Sequence, residues 1–392
     1  MIARPATSST LKEINLRTVL DVIRTAPPVS RAEIARRTGI SKPTVSALLQ
    51  DLLDMGLVSE TVREELGPTY GALFFAPRPE AAHVLALDVG ARRLRGAVAD
   101  LDGVVHIRRD VTVEGLDAHQ IVAAAALLAE QLCTEAGVGR SALQHAAIGV
   151  PGVVDRRDGR IWQATNVPAL DGFQAKEAFE KALALPVTVE NDIHLAALGE
   201  QRHGTGTGTD AESFAFLSVG TGVGAGLILH GELHRGFAGA AGELDCALEP
   251  ETFDLNDPCA SALLAFAATR FGGRADLGST EQVFELARAG DPDACAVVDE
   301  EVRRIVGYLA TLAAVVDVEL VVLGGGIGLN GDLLLPRVTE RLAARVPYPP
   351  RVEVSALGVA AVLTGAVAVA TRAALEQILS LRFGAGAARR RG

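Results

Sequence analysis

The sequence predicts an α+β winged helix-turn-helix head followed by a two-lobed α/β body. Three observations carry this. Residues 1–45 hold eight Lys/Arg against three acids, although the 392-residue chain has a formal charge of −11. A basic head on an acidic body points to polyanion contact at the head alone. Second, Ser30–Leu49 has the spacing of two short helices around a tight turn. Third, a strand, Gly-bearing turn and strand occur twice in the body. Length by itself asks for two or three domains.

Residues 1–10 are polar and are expected to fray. The head spans residues 11–78. Ile34 and Ala35 face inward on the first short helix, and Ala35 is small because the helices cross there. Gly39 sits where the turn needs positive φ, and Ile40 plugs the core beneath it. Ser41 is a good N-cap, and Pro43 falls in the first turn, where a missing N–H costs little. Val45, Leu48 and Leu49 form the inward stripe of the second helix. A plain three-helix interaction module would show the same stripe; the Ala35/Gly39/Val45 pattern and the basic surroundings favour DNA. Lys42, Thr44 and Ser46 are then the major-groove candidates, with Arg31 and Arg37 near phosphates. Ser41 and Thr44 also suit phosphate at a helix N-terminus. Gly56–Val62 begins a strand that Leu73-Phe-Phe answers, so residues 57–76 read as a wing hairpin. So small a module reads a pseudo-palindrome as a homodimer or homotetramer.

The body spans residues 83–375. Val84–Asp88, a turn, Leu94–Ala99 and Asp102-Gly103 make one copy of the repeat. Phe214–Val219, a turn, Gly224–Leu229 and His230-Gly231 make the other. Two such units imply a duplicated α/β body with a cleft between its halves. Aromatic residues are 4% of the chain, so Ala, Val and Leu must build the core. The uncharged stretch Ala356–Thr371 is short for a membrane span and reads as a buried helix, so no membrane role is expected. Residues 383–392 are Gly/Ala/Arg-rich and read as a disordered basic tail. Cys133, Cys246, Cys259 and Cys295 form no C-x-x-C pair, and the N-terminus lacks a signal-peptide pattern. Both point to the reducing cytoplasm.

Three features of the body bear on chemistry. Gly220, Gly222, Gly224 and Gly226 lie in a strand–turn–strand whose backbone N–H groups can approach an anion. No Lys-Ser/Thr follows, so it is not a Walker loop. Asn191 and Asp192 follow an apolar strand, where amide and carboxylate can hold sugar hydroxyls or act as a base. The plainer alternative is an Asn-Asp turn capping the next helix. Glu243 ends the Gly236–Gly242 loop and can accept two hydroxyl hydrogen bonds; alone it reads equally as a surface acid.

Together with the head, a series of motifs runs along the chain. They are Ala86-Leu-Asp-Val-Gly, Ile148-Gly-Val-Pro-Gly-Val-Val-Asp, Asn166-Val-Pro, Val189-Glu-Asn-Asp, Val219-Gly-Thr-Gly-Val-Gly-Ala-Gly, Gly239-Ala-Ala-Gly-Glu and Val322-Leu-Gly-Gly-Gly-Ile-Gly. In that order they resemble the ROK family of repressors and sugar kinases. The resemblance implies an actin-like/sugar-kinase (ASKHA) fold. It places sugar contacts on Asn191, Asp192 and Glu243, with Asn166 and Gly152 as neighbours. It places the kinase base on Asp192, phosphate loops on Asp88–Gly90 and Gly220–Gly224 (including Thr221 and Gly222), and an adenosine-side loop on Gly324–Gly326.

The chain also departs from the kinase pattern. The first phosphate loop reads Asp88-Val-Gly-Ala-Arg-Arg-Leu, losing a glycine and a threonine to bulky side chains. The histidine of the family's Gly-Glu-x-Gly-His is Cys246, and the zinc knuckle is missing. Cys246 and Cys259 supply two of the roughly four ligands structural zinc needs, so neither metal nor cofactor is expected. An intact head beside an incomplete kinase loop implies a regulator rather than an enzyme. Its partners would be a double-stranded DNA operator and a sugar or sugar phosphate that releases it. The alternatives are an ATP-dependent sugar kinase and a ligand-independent DNA-binding scaffold.

Overall fold

A computed structural model describes residues 8–61, 73–207, 211–247, 256–272 and 278–388. The head contains helices α1 (Ser8–Thr25), α2 (Arg31–Thr38) and α3 (Lys42–Asp54). Its strands β1 (Val29–Ser30), β2 (Val58–Thr61) and β3 (Phe74–Pro77) form a sheet in the order β1-β3-β2. Local signals place the turn where they should. Ser30 caps α2, Gly39 ends it at φ +70°, and the Ser41 side chain accepts from the Thr44 N–H to start α3. Val45, Leu48, Leu49 and Leu52 are buried against α1 and α2. β2 and β3 pair antiparallel as the base of the expected wing. Its tip falls in residues 62–72, outside the described residues.

The body repeats one topology. In lobe I, β4 (His83–Val89), β5 (Arg93–Asp100) and β6 (Val105–Thr112) form a meander. Helix α4 (Ala118–Ala136) leads to β7 (Leu143–Val150), and a short ribbon follows, β8 (Val153–Val154) with β9 (Ile161–Trp162). Helix α5 (Ala175–Leu183) then leads to β10 (Val187–Asn191). The sheet order is β10-β7-β4-β5-β6. Helix α6 (Asp192–His203) crosses to lobe II, made of β11 (Phe214–Val219), β12 (Val223–Leu229) and β13 (Glu232–His234). It continues with α7 (Ala260–Phe271), α8 (Thr280–Arg288), α9 (Pro292–Val315), β14 (Leu320–Gly324), α10 (Gly331–Arg345) and β15 (Arg351–Val354). Its sheet order, β13-β12-β11-β14-β15, matches lobe I strand for strand. Every residue of β4 is buried, as suits a central strand covered on both faces. The edge strand β6 is charged and largely exposed, which blunts edge pairing.

The chain returns to lobe I through α11 (Ala361–Ala388), which packs on α6, β4 and β7. Its apolar stretch is therefore a packed helix, although by length and composition it would suffice to cross a membrane. A Cβ on Gly365 would overlap the Leu195 carbonyl, and one on Gly199 would overlap that of Ala361. Glycine at both positions lets α6 and α11 cross backbone to backbone. The structure carries helix through Ala388, where the composition had suggested disorder from Phe383; the arginine run Arg389–Arg391 lies outside the described residues. Helix α1 likewise begins at Ser8, inside the stretch expected to fray.

Head and body are not separate beads. Leu16, Val19 and Ile23 of α1 share one buried cluster with Ala370, Ala374 and Leu379 of α11. Arg24 pairs with Asp102 at 2.9 Å and donates to the Leu101 carbonyl at 2.7 Å, while Arg17 reaches Glu376 at 3.5 Å.

One core residue opposes its surroundings. Glu301 of α9 is 1% exposed, and neither carboxyl oxygen has a hydrogen-bond partner. Burial pushes it well above the ordinary 4.5, against the pull of Arg304 at 4.0 Å. A carboxyl raised in this way favours folding below pH 4.5, and the benefit is lost as pH rises toward its folded value. Glu301→Met is therefore expected to stabilise the protein by about 1–3 kcal/mol near neutrality. Thermal melts should show a larger gain at pH 8 than at pH 5; an equal gain at both would mean the carboxyl is not desolvated.

Candidate functional site

On the head, the N-terminus of α3 faces solvent. Ser41, Lys42 and Thr44 are exposed, as is Arg31 on α2. The Ser41 and Thr44 hydroxyls lie 2.8 Å apart. Unpaired amides of the first turn and the helix dipole favour a phosphate there. Ser46 is only half-buried, and its hydroxyl donates to the Lys42 carbonyl at 2.9 Å. Arg37 is exposed but shares Glu33 with Arg36, at 2.5 and 2.6 Å. Hydrogen bonds from both arginines hold Glu33 down at about 2, so it stays charged and offsets part of this basic corner.

The second site lies where the strand order of each lobe reverses. Chain segments leaving the carboxyl ends of β4, β7, β10, β11 and β14 converge there, which is where open α/β sheets bind ligands. Gly90, Gly152, Asn166, Asn191, Asp192, Gly220, Thr221, Gly222 and Glu243 all line one cleft of about 690 Å³. Asp88 lines a recess of about 140 Å³ that shares Asp192, Arg95 and Ser218 with the cleft. A groove of similar size, about 650 Å³, lies between α6, β13 and α11, but none of these residues reaches it.

Asn191 takes the capping role read as the plainer alternative, and Asp192 opens the same helix. Asn191 caps α6, accepting the His194 N–H at 2.9 Å, and donates to the Gly152 carbonyl at 3.0 Å. Its side chain therefore holds the β7 turn in place and leaves one amide N–H over. Asn166 presses its amide against the Gly222 turn, 2.7 Å from where a Cβ would stand, so the lobes touch there. Asp192 opens α6 on the cleft floor, partly exposed at the opening yet deeply surrounded. Burial first, then repulsion from Asp88 and Glu243, pushes its carboxyl up to about 7. A carboxyl poised near neutrality can accept a hydroxyl hydrogen bond or a proton.

Beside the turn after β4, which the resemblance assigns to phosphate, stands Arg95, a cleft-lining side chain that the sequence did not single out. Arg95 donates to Asp88 at 2.7 Å and lies 3.8 Å from Asp110. Its guanidinium also approaches within 3.9 Å of the Cβ position of Gly90. Burial pushes Asp88 up more than Arg95 pulls it down. The hairpin pairs Asp88 directly opposite Arg95, so both side chains share a face. That register, counted back from the turn, was the signal available. Among the described residues no group of three or more His, Cys, Asp or Glu is placed to hold a metal ion. Residues 248–255, within the stretch compared with the zinc knuckle, lie outside the described residues.

Residues 84–373 match the ROK family, and residues 17–65 match the MarR family of helix-turn-helix domains. The chain belongs to the ROK family. The ROK chain is 25% identical to a xylose repressor of Caldicellulosiruptor bescii, across 92% of this chain and 96% of that one. A ROK family transcriptional regulator, a homologue of the E. coli MLC protein, shares the fold with a TM-score of 0.80. It is 22% identical, covering 95% of this chain and 99% of that one. A ROK glucokinase from Streptomyces griseus, solved with glucose and AMPPNP, aligns with 74% of this chain and 100% of its own. Its TM-score is 0.63 and its identity 25%. The chain is therefore a winged helix-turn-helix head followed by the actin-like sugar-kinase fold of the ROK family.

Proposed function

We propose that this ROK protein is a sugar-responsive transcriptional repressor. It binds an operator as a homodimer or homotetramer in the cytoplasm and is released by a sugar or sugar phosphate in the cleft. The carrying observation is the buried cluster in which α1 and α3 of the head pack together with α11, which joins the DNA-facing head to the body that holds the cleft. The xylose repressors among its relatives favour an aldose as ligand.

Asn191, Asp192, Glu243, Asn166 and the Gly152 turn hold the sugar hydroxyls. Closure of the lobes then moves α6, whose first residue is Asp192. Because α6 crosses α11 and α11 carries the head, the spacing of the two recognition helices shifts. The same protein is no kinase in this reading. Phosphoryl transfer needs nucleotide phosphates and Mg²⁺ held in line, and Arg95 ties up Asp88 beside the turn where the first phosphate loop would lie.

The test is fluorescence anisotropy of the purified chain on duplexes from sugar-operon promoters, titrated with D-xylose, D-glucose and their phosphates. Tight binding to one duplex, weakened by one of these ligands, is expected. Failure to bind any duplex at low salt would remove the regulator. ATP-dependent phosphorylation of a sugar would restore the kinase.

A further inference from the structure

We infer that His194 acts as a doubly protonated clasp that joins the two lobes and positions the Glu243 loop over the cleft. Its ring is buried on the first turn of α6. Nδ1 lies 3.0 Å from Oε1 of Glu190, and Nε2 lies 3.1 Å from the carbonyl oxygen of Ala241. A carbonyl oxygen only accepts, and so does an ionised carboxylate. A neutral imidazole carries one N–H and can satisfy one of them; the imidazolium satisfies both. The other arrangement sets a ring lone pair against an oxygen lone pair in a buried site.

Glu190 is built to keep that charge. It also accepts Nε–H of Arg235 at 2.6 Å and the Asn191 backbone N–H at 3.1 Å. Burial works to raise Glu190, but the bonds from His194 and the Arg235 charge outweigh it and hold the carboxyl below its ordinary range. For His194, burial works to lower the ring, and the Glu190 hydrogen bond and charge win, raising it above 6.5. The charged groups acting on His194 are Glu190 of β10, Arg235 just after β13 and Asp192 of α6, among the described residues.

The clasp spans the lobes. Glu190 ends the lobe I sheet, whereas Ala241 belongs to the loop leaving β13 of lobe II. The Gly242 carbonyl is held from the other side by the Ala225 N–H at 2.9 Å. Gly242 has φ +99°, and a Cβ there would overlap the Ala225 carbonyl, so the backbone has little freedom. Glu243 follows directly. The His194 backbone N–H meanwhile holds Asn191, so one residue aligns both halves of the polar lining. His194 is thus a positioning residue.

As pH rises past the raised value, the ring loses one proton. The ionised Glu190 is the stronger acceptor and keeps the N–H on Nδ1. The bond to Ala241 is the one lost, and the Gly239–Glu243 segment loosens. The consequence for ligand rests on Glu243 as a sugar contact; the clasp itself does not.

The experiment therefore uses the full-length protein without sugar or DNA. Imidazole ¹⁵N shifts are followed by NMR, and hydrogen exchange of residues 236–243 is compared near pH 6 and near pH 9. The buried α11 segment serves as the reference, with intrinsic rates corrected. In the wild type, both ring nitrogens are expected to be protonated at neutral pH, and loop exchange to rise about tenfold at the higher pH. In His194→Gln the loop should exchange fast at both. Asp192 still titrates in that variant, so a flat profile separates the two groups. A neutral His194 ring at pH 7, or a wild-type loop whose exchange ignores pH, overturns the inference. So does a pH response that survives unchanged in His194→Gln.

Discussion

Asp192→Asn is expected to bind operator DNA as tightly as the wild type and to need far more of the sugar that releases it. The carboxylate opens α6 on the cleft floor, and asparagine keeps its shape while losing an acceptor of charged hydrogen bonds. Such a bond contributes about 1.5–3 kcal/mol, so the ligand should weaken by roughly tenfold to a hundredfold. The same substitution should make the protein more stable. A carboxyl raised from 3.8 to about 7 helps folding below pH 3.8, and that help is lost as pH rises to 7. Above pH 7 the buried charge is a cost that asparagine removes, of order 1–3 kcal/mol. Melting curves at pH 8 should favour the variant, and those at pH 4 should coincide. Release of the variant at the wild-type sugar concentration would take Asp192 out of the ligand site.

The other large effect belongs to the head. Arg31 and Lys42 are exposed beside the α3 N-terminus, where neighbouring hydroxyls and amides already favour phosphate. The double substitution Arg31→Ala, Lys42→Ala should weaken operator binding about tenfold to a hundredfold at physiological salt. Each lost phosphate contact lowers the slope of log K against log salt by about 0.9, so the slope distinguishes lost contacts from misfolding. Sugar affinity should not change. Arg37 alone should matter less, because Glu33 already holds it. An operator complex with unchanged slope would mean that neither cation touches a phosphate.

The head was legible because its rules are local. Ser30, Gly39 and Ser41 each act on backbone within four residues, and the apolar stripe of α3 follows helical spacing. The duplicated body was legible from its strand–turn–strand units, and the motif residues of the cleft do converge. Ser46 turns its hydroxyl back to the Lys42 carbonyl, a choice of rotamer that spacing does not specify. Helix α11 continues through 383–388, a run of Phe, Gly and Ala whose composition alone suggests disorder.

What residue order determined here is the pair of units, the capped turn of the head and the set of polar groups destined for the cleft. Long-range packing decided the rest: Arg95 across the hairpin from Asp88, His194 between Glu190 and Ala241, and α1 sharing a core with α11. Capping and periodicity are written within a few residues of themselves. A buried ion pair or a shared core depends on which distant segments exclude water together, and that is settled only when the chain has packed.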